Sequence, residues 1–262
     1  MSEEHKKYLK KLKRKRIIVR ALQIFALILF FGLWELFARL EVIDPFLTSS
    51  PSRVVKSIAN LYESGILFKH LGATLLETVI SFLLSTVIGT AIAIILWWNE
   101  TARRVAEPYI VVLNALPKIA LGPLIIIWAG AGKTAIIVMA LLISVIITII
   151  SMLAGFMSVD KGKLQLLKSM RATKFQTLYK LVLPANIPTL ISVLKINVGL
   201  SWVGTIMGEY LVSREGIGYL LVYGSQIFRL DLVMASTIML CVLATAMYLA
   251  VAVAEKIIKK YF

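Results

Sequence analysis

Cysteine, histidine and acidic residues are all scarce in this chain of 262 residues. Cys241 is the single cysteine and lies inside an apolar run, which excludes a disulfide framework and a thiolate metal site. His5 and His70 are too far apart in sequence to form a metal cluster, so no metal site is expected. Only 14 residues are Asp or Glu, against 29 Lys and Arg, and charged residues together make up 16%. Soluble domains usually carry about a quarter. With one thiol, two distant imidazoles and scattered acids there is no cluster for acid–base, nucleophilic or metal chemistry, so a membrane-embedded enzyme is not expected.

Apolar residues, in contrast, are abundant. Hydrophobic residues make up 59% of the chain and the mean hydropathy is +0.87. One soluble core cannot hide that much apolar surface, which identifies an integral membrane protein, and the helical spans read below make it all-α. The formal charge of +15 would by itself suggest nucleic acid, but in so apolar a chain it needs a membrane explanation, and no nucleic-acid partner is expected.

A spanning helix needs about 20 apolar residues. Six segments qualify: Ile17 to Ala38, Leu71 to Trp98, Val105 to Ala129, Thr134 to Met157, Ile187 to Val212 and Leu232 to Ile258. Pro117 and Pro123 interrupt the third. The first run is too long for a signal-peptide core and reads as a retained anchor. The chain then divides into a basic tail (1–16), the first anchor (17–40), a long loop (41–70) and a transmembrane core (71–258). Within the long loop, Arg53 to Leu61 reads as a short amphipathic helix.

Basic residues orient these spans. With the N-terminus inside, the cytoplasmic segments hold nine Lys and Arg in residues 1–20, two at Arg103 and Arg104, six in 158–186 and three near the C-terminus. The outer segments hold seven: Arg39, Arg53, Lys56, Lys69, Lys133, Arg214 and Arg229. Both termini are therefore expected in the cytoplasm of a multi-pass cell-membrane protein, with the basic tail beside anionic membrane lipid.

Two stripes of small residues stand out: Ser81, Ser85 and Gly89 in the second span, and Gly204 and Gly208 in the fifth. Small residues let helix backbones approach closely in lipid. The pattern fits either static packing or a moving or dimerising interface.

The 158–186 segment is long, basic and apolar on one side. Lys161 to Met170 reads as helix. Thr173 with Gln176 three residues on forms a capping-box pattern, followed by a second short helix in which Phe175, Leu178 and Tyr179 present bulk. Leu183-Pro184 ends it. The segment reads either as a solvated positive-inside loop or as a docking element for a cytosolic partner.

The run from Leu167 to Pro184 is similar to the EAA loop of ABC importer permeases. Counting back from Leu183-Pro184 places Leu181 at the hydrophobic position, Arg171 at the glycine position and Gln165-Leu166-Leu167 at Glu-Ala-Ala. Arginine at the glycine position implies a turn made with negative φ or under strain. Trp34 to Ala38, Pro45 to Ser52, Leu116 to Trp128 and Gly204 to Tyr219 resemble the nitrate/sulfonate/taurine-type members of the same family. The resemblance implies the type I permease fold, six transmembrane helices with a cytoplasmic coupling helix between the fourth and fifth spans. It implies one half of an import channel, completed by a second copy of the permease. It implies a cytosolic ABC ATPase dimer bound at Gln165, Leu167, Lys168, Arg171, Ala172, Thr173, Phe175, Gln176, Leu178, Leu183 and Pro184. It also implies an extracytoplasmic solute-binding protein and alternating access. The implied solute is a small oxyanion such as nitrate, a sulfonate or taurine, or a vitamin precursor.

No phosphate-binding loop occurs, so this chain is expected to bind no cofactor, and ATP-Mg belongs to the partner ATPase. Polar residues within the spans are candidates for the translocation path or its gate: Pro117, Lys118, Asn197, Ser201, Thr205 and Glu209. Lys118 either faces the path, snorkels to the interface, or pairs with a carbonyl freed near Pro117. Asn197, Ser201 and Thr205 either line the path or bridge helices. Glu77 and Glu209 either shape an outer gate or sit at the interface, and Lys195 is expected to snorkel. The rival reading is a passive channel or membrane scaffold.

Overall fold

The computed structural model describes residues 3–261, with side chains from Lys10 to Ile258. Among the described residues there is no strand. The chain runs through α1 (Glu3–Arg39), α2 (Pro45–Thr48), α3 (Pro51–Glu63), α4 (Leu67–Trp98), α5 (Glu100–Ala115), α6 (Gly122–Ala129) and α7 (Lys133–Met157). It continues through α8 (Lys161–Ser169), α9 (Lys174–Thr177), α10 (Leu183–Ala185), α11 (Ile187–Val212), α12 (Ile217–Gln226) and α13 (Leu230–Tyr261). A 3-10 turn over Lys118–Leu121 joins α5 to α6, and a π-turn over Leu178–Val182 joins α9 to α10.

Several helices begin where local chemistry dictates. Asp44 caps α2 by accepting from Phe46 N at 2.8 Å, with Pro45 at the first position. Ser50 caps α3 in the same way, ahead of Pro51. Proline fits there because the first N–H of a helix has no intrahelical acceptor. Helix α3 contains the expected amphipathic segment and buries Val54, Ser57 and Leu61. Helix α4 begins at Leu67 rather than Leu71, so the preceding loop is shorter than expected.

Five helices are long and apolar enough to cross a membrane: α1 over Lys10–Arg39, α4, α7, α11, and α13 over Leu230–Ile258. The sixth expected span is not one straight crossing. Helices α5 and α6 meet at a bend of 89°. Pro117 supplies no N–H, and Leu116 before it is extended, with φ −64° and ψ 135°. Pro123, expected to interrupt as well, instead lies in the first turn of α6, where proline is tolerated.

Helices α4, α7 and α11 form the centre of the bundle. Helix α13 packs on α12, α11 and α3, while α1 meets α2 and α3 and leaves the sides of its apolar span uncovered. The small-residue stripes are used inside one chain. Ser81, Ser85 and Gly89 are buried on α4, and a Cβ added at Gly89 would lie 2.5 Å from Thr148 Cβ on α7. On α11, Gly204 lies against Ala140 Cα, and a Cβ at Gly208 would lie 2.9 Å from Ile136 Cα. Both stripes thus bring α7 close. The GxxxG pair serves packing within the chain.

Candidate functional site

The 158–186 segment folds into short helices that project from the bundle, called the lever below for its shape. Asp160 caps α8 by accepting from Lys163 N at 2.8 Å. Helix α8 ends in a Schellman turn: Ala172 N donates to Leu167 O, and Arg171 N to Lys168 O, each at 3.0 Å. Arg171 occupies the position that this turn reserves for glycine, with φ 57°. The expected alternatives of negative φ or strain are thereby resolved: the arginine adopts the left-handed conformation. Thr173 and Gln176 then close the expected capping box, with Gln176 N donating to Thr173 Oγ1 at 3.2 Å and Thr173 N to Gln176 Oε1 at 2.8 Å.

The second short helix places its side chains differently from expectation. Phe175 and Tyr179 are 65% and 66% exposed, but Leu178 is only 6% exposed. Leu178 is therefore no part of the outward face. Across the π-turn, Leu183 N reaches Leu178 O, and the wider turn keeps Leu178 and Val182 together on the inner side. They pack with Ala93 of α4, Met152 and Phe156 of α7 and Val193 of α11. Leu183 joins this cluster, and Pro184 opens α10. Lys174 Nζ also donates to Trp98 O at 2.5 Å at the end of α4. The lever is thus rooted in all three central helices. Its free surface carries Gln165, Lys168, Met170, Arg171, Phe175 and Tyr179, with Leu167 and Ala172 half-buried.

At the opposite end of the bundle, Glu209 is fully buried rather than at an exposed interface. It accepts from Thr74 Oγ1 at 2.6 Å and from Gly218 N at 2.5 Å. Ile217 N donates to Thr74 Oγ1 at 2.7 Å, and Gly216 N to His70 Nδ1 at 3.0 Å. Helix α12 therefore has its orphan N–H groups taken up by α4 and α11, with a carboxylate at its positive end. Gly216 has φ 107°, and the space beside it is filled by the Glu209 carboxylate, so no side chain fits there. His70 stacks on Tyr219 with ring centroids 5.9 Å apart. Glu77 is buried beside this network.

Between the two ends runs a buried polar seam. Asn197 Nδ2 donates to Thr148 Oγ1 at 2.8 Å and to Thr86 Oγ1 at 3.2 Å, linking α11 to α7 and α4. Ser201 and Thr205 lie on the same face of α11 and are fully buried. Within one chain these residues sit between helices, not on an open surface.

The two lysines within the spans are both partnered. Lys118 Nζ donates to Asn114 O at 3.0 Å, the carbonyl that its own backbone N–H would have reached had the helix continued past Pro117. Lys195 does more than snorkel: it pairs with Glu255 of α13 at 2.5 Å. At the first turn of α4, Lys69 forms an ion pair at 2.8 Å with Glu215 of the α11–α12 loop, and the hydrogen bond from Lys69 holds the Glu215 carboxyl below the usual carboxylate range. Among the described residues, no three His, Cys, Asp or Glu side chains gather as metal ligands.

Sequence reasoning missed His70, Thr74 and helix α12. The available signal was the Gly216-Ile-Gly218 spacing after Gly208-Glu209, where Gly216 and Gly218 leave room for the acid.

Comparison with known proteins follows this architecture. Residues 85–260 match the family described as binding-protein-dependent transport system inner membrane component. The formylaminopyrimidine transport permease protein ThiX of Halalkalibacterium halodurans is 33% identical over 187 residues, covering 71% of this chain and 74% of that protein. The taurine transport system permease protein TauC of Escherichia coli is 25% identical over 228 residues, covering 85% of this chain and 83% of that protein. In fold, the chain is similar to the MetNI methionine ABC transporter in an inward-facing form, with a TM-score of 0.67 at 18% identity over 76% of this chain and 98% of that one. With more than half its length matched, this helical membrane chain belongs to the binding-protein-dependent transport inner membrane component family, as the permease subunit of an ABC importer and not as an enzyme.

Proposed function

We propose that two copies of this chain enclose the path of a small solute, and that an ATPase pair grips the 158–186 levers from the cytoplasm. The observation that carries this reading is the division of labour within the lever. Phe175 and Tyr179 face outward without cover, while Leu178 and Val182 lock the same short segment into α4, α7 and α11. A partner that pushes on Phe175 pushes on three spanning helices at once. Closure of the ATPase pair on ATP-Mg then becomes a rigid-body movement of the bundle, which is alternating access.

In this arrangement both chain termini and the lever lie in the cytoplasm, and a solute-binding protein docks at the end that carries α3 and α12. The bend at Pro117 and Lys118 faces the path between the two copies. The buried seam of Asn197, Ser201, Thr205 and Glu209 keeps each half rigid as it moves and shapes the outer gate through α12. The solute is a small sulfonate or other oxyanion of the taurine kind, or a vitamin precursor of the formylaminopyrimidine kind.

The test is uptake into proteoliposomes containing the permease, its ATPase and its binding protein. Uptake of labelled taurine or formylaminopyrimidine that requires both ATP and the binding protein is expected. Equilibration without ATP would identify a passive channel instead.

A further inference from the structure

Seven basic residues fall in the segments assigned to the outer side, where basic residues are usually few. The structure pairs Arg39 with Glu35 at 2.7 Å and Lys69 with Glu215 at 2.8 Å. Lys133 and Arg214 line a cavity that also holds Glu77 and Glu215. The remaining three, Arg53, Lys56 and Arg229, converge on a different cavity of ≈ 380 Å³ between α3 and the α12–α13 turn.

This cavity is built for an anion. Asp231, its only acid, pairs with Arg229 at 3.3 Å. Arg53 Nη1 donates to Pro45 O at 2.8 Å, a contact that orients the guanidinium without neutralising it. Lys56 has no ion-pair or hydrogen-bond partner among the described residues. Two positive charges therefore remain uncompensated. Ser57 also lines the cavity; it is 2% exposed and its Oγ has no hydrogen-bond partner within the chain. The cavity opens at the first turn of α13, where the free N–H groups of a helix favour negative charge.

Its rim is apolar. Phe46 and Phe228 line the cavity and are 56% and 70% exposed. Phe228 has φ 55°, the left-handed conformation that a Schellman turn normally gives to glycine: Arg229 N donates to Gly224 O and Phe228 N to Ser225 O. An aromatic residue held in that conformation, with its ring turned outward beside a basic cavity, is a strained feature of the sort found at ligand clamps. The cavity sits where the apolar span of α1 has ended and that of α13 begins.

We propose that this cavity binds the phosphate headgroup of an acidic phospholipid, with its acyl chains passing over Phe46 and Phe228. The basic groups and Ser57 recognise the phosphate. The aromatic rim distinguishes a lipid from a free oxyanion.

Native mass spectrometry of the detergent-solubilised full-length permease, titrated with phosphatidylglycerol or phosphatidylcholine, tests this. Phosphatidylglycerol is expected to be retained preferentially. Lys56→Ala should weaken that retention about fivefold, the ~1 kcal/mol a basic residue contributes beside an anionic lipid, while Lys133→Ala leaves it unchanged. Lys56 makes no contact that the fold needs, and Lys56→Gln should reproduce the loss. Equal retention of the two lipids, or unchanged retention by both Lys56 variants, overturns the proposal. Displacement of the lipid by millimolar inorganic phosphate also overturns it, by showing that the site takes a free oxyanion.

Discussion

Glu209 and Thr74 lie 135 residues apart in sequence and share a 2.6 Å hydrogen bond that fastens α11 to α4 at the end opposite the lever. The same carboxylate holds Gly218 N–H, so α12 hangs from it. Glu209→Ala leaves the buried Gly218 N–H without its acceptor and the Thr74 hydroxyl with only its longer contact to His70 O at 3.3 Å, at a cost of about 1–3 kcal/mol for a group left unsatisfied. The melting temperature in detergent should fall, and trypsin should cut faster after Arg214 in the adjoining loop. Glu209→Gln keeps one acceptor oxygen and should fall less.

The close approach of α11 to α7 depends on Gly204. A Cβ there would overlap the backbone of Ala140, whereas a Cβ at Gly199 meets nothing within 4 Å. Gly204→Ala should therefore destabilise by roughly 1–3 kcal/mol, the usual cost of overpacking. Gly199→Ala should be neutral or stabilising by up to about 1 kcal/mol, because alanine is the better helix former. Thermal unfolding of the two variants side by side gives the comparison.

Arg171 carries positive φ in the turn between α8 and α9. A non-glycine residue pays about 1–2 kcal/mol for that conformation, offset in part by the entropy glycine loses on folding. Arg171→Gly should raise stability by about 1 kcal/mol, measured as a shift in the unfolding midpoint. A loss of stability would show that the guanidinium makes a stronger contribution than the turn geometry indicates.

The Lys69–Glu215 pair gives a pH dependence of definite sign. Lys69 lowers the Glu215 carboxyl below its reference value of 4.5. A group whose folded value is depressed stabilises above the unfolded value and loses that contribution as pH falls through the folded one. Wild type should exceed Lys69→Met in stability above pH 4.5, and the gap should close as the pH drops through the lowered Glu215 value. A gap of constant size across that range would place the effect of Lys69 elsewhere.

Some of this architecture was legible in the sequence because it depends on local signals. Apolar runs marked the spans, Pro117 marked the break, and Thr173 with Gln176 marked the start of α9. The 89° bend was not legible, since a proline specifies where a helix stops but not where the next one points. The inward position of Leu178 is not legible, because a regular helix puts it near Phe175 and the π-turn that carries it inward follows from tertiary packing. The Thr74–Glu209–Gly218 network was hidden because its members are adjacent only after α4, α11 and α12 assemble. The sequence leaves open whether Asn197 lines the path or bridges helices, because its two bonds to Thr86 and Thr148 reach helices whose register the sequence does not fix.

In the proposed arrangement the outward face of the lever holds the ATPase while its inner face holds the bundle. Affinity purification of the tagged permease with its co-expressed ATPase, comparing wild type with Phe175→Ala, separates the two faces. Phe175 makes no core contact, so the variant should keep the wild-type melting temperature yet lose about 2 kcal/mol of ATPase binding, the usual loss for a central aromatic anchor. Retention of the ATPase at the wild-type level by Phe175→Ala would show that the outward face of the lever is not where the ATPase binds.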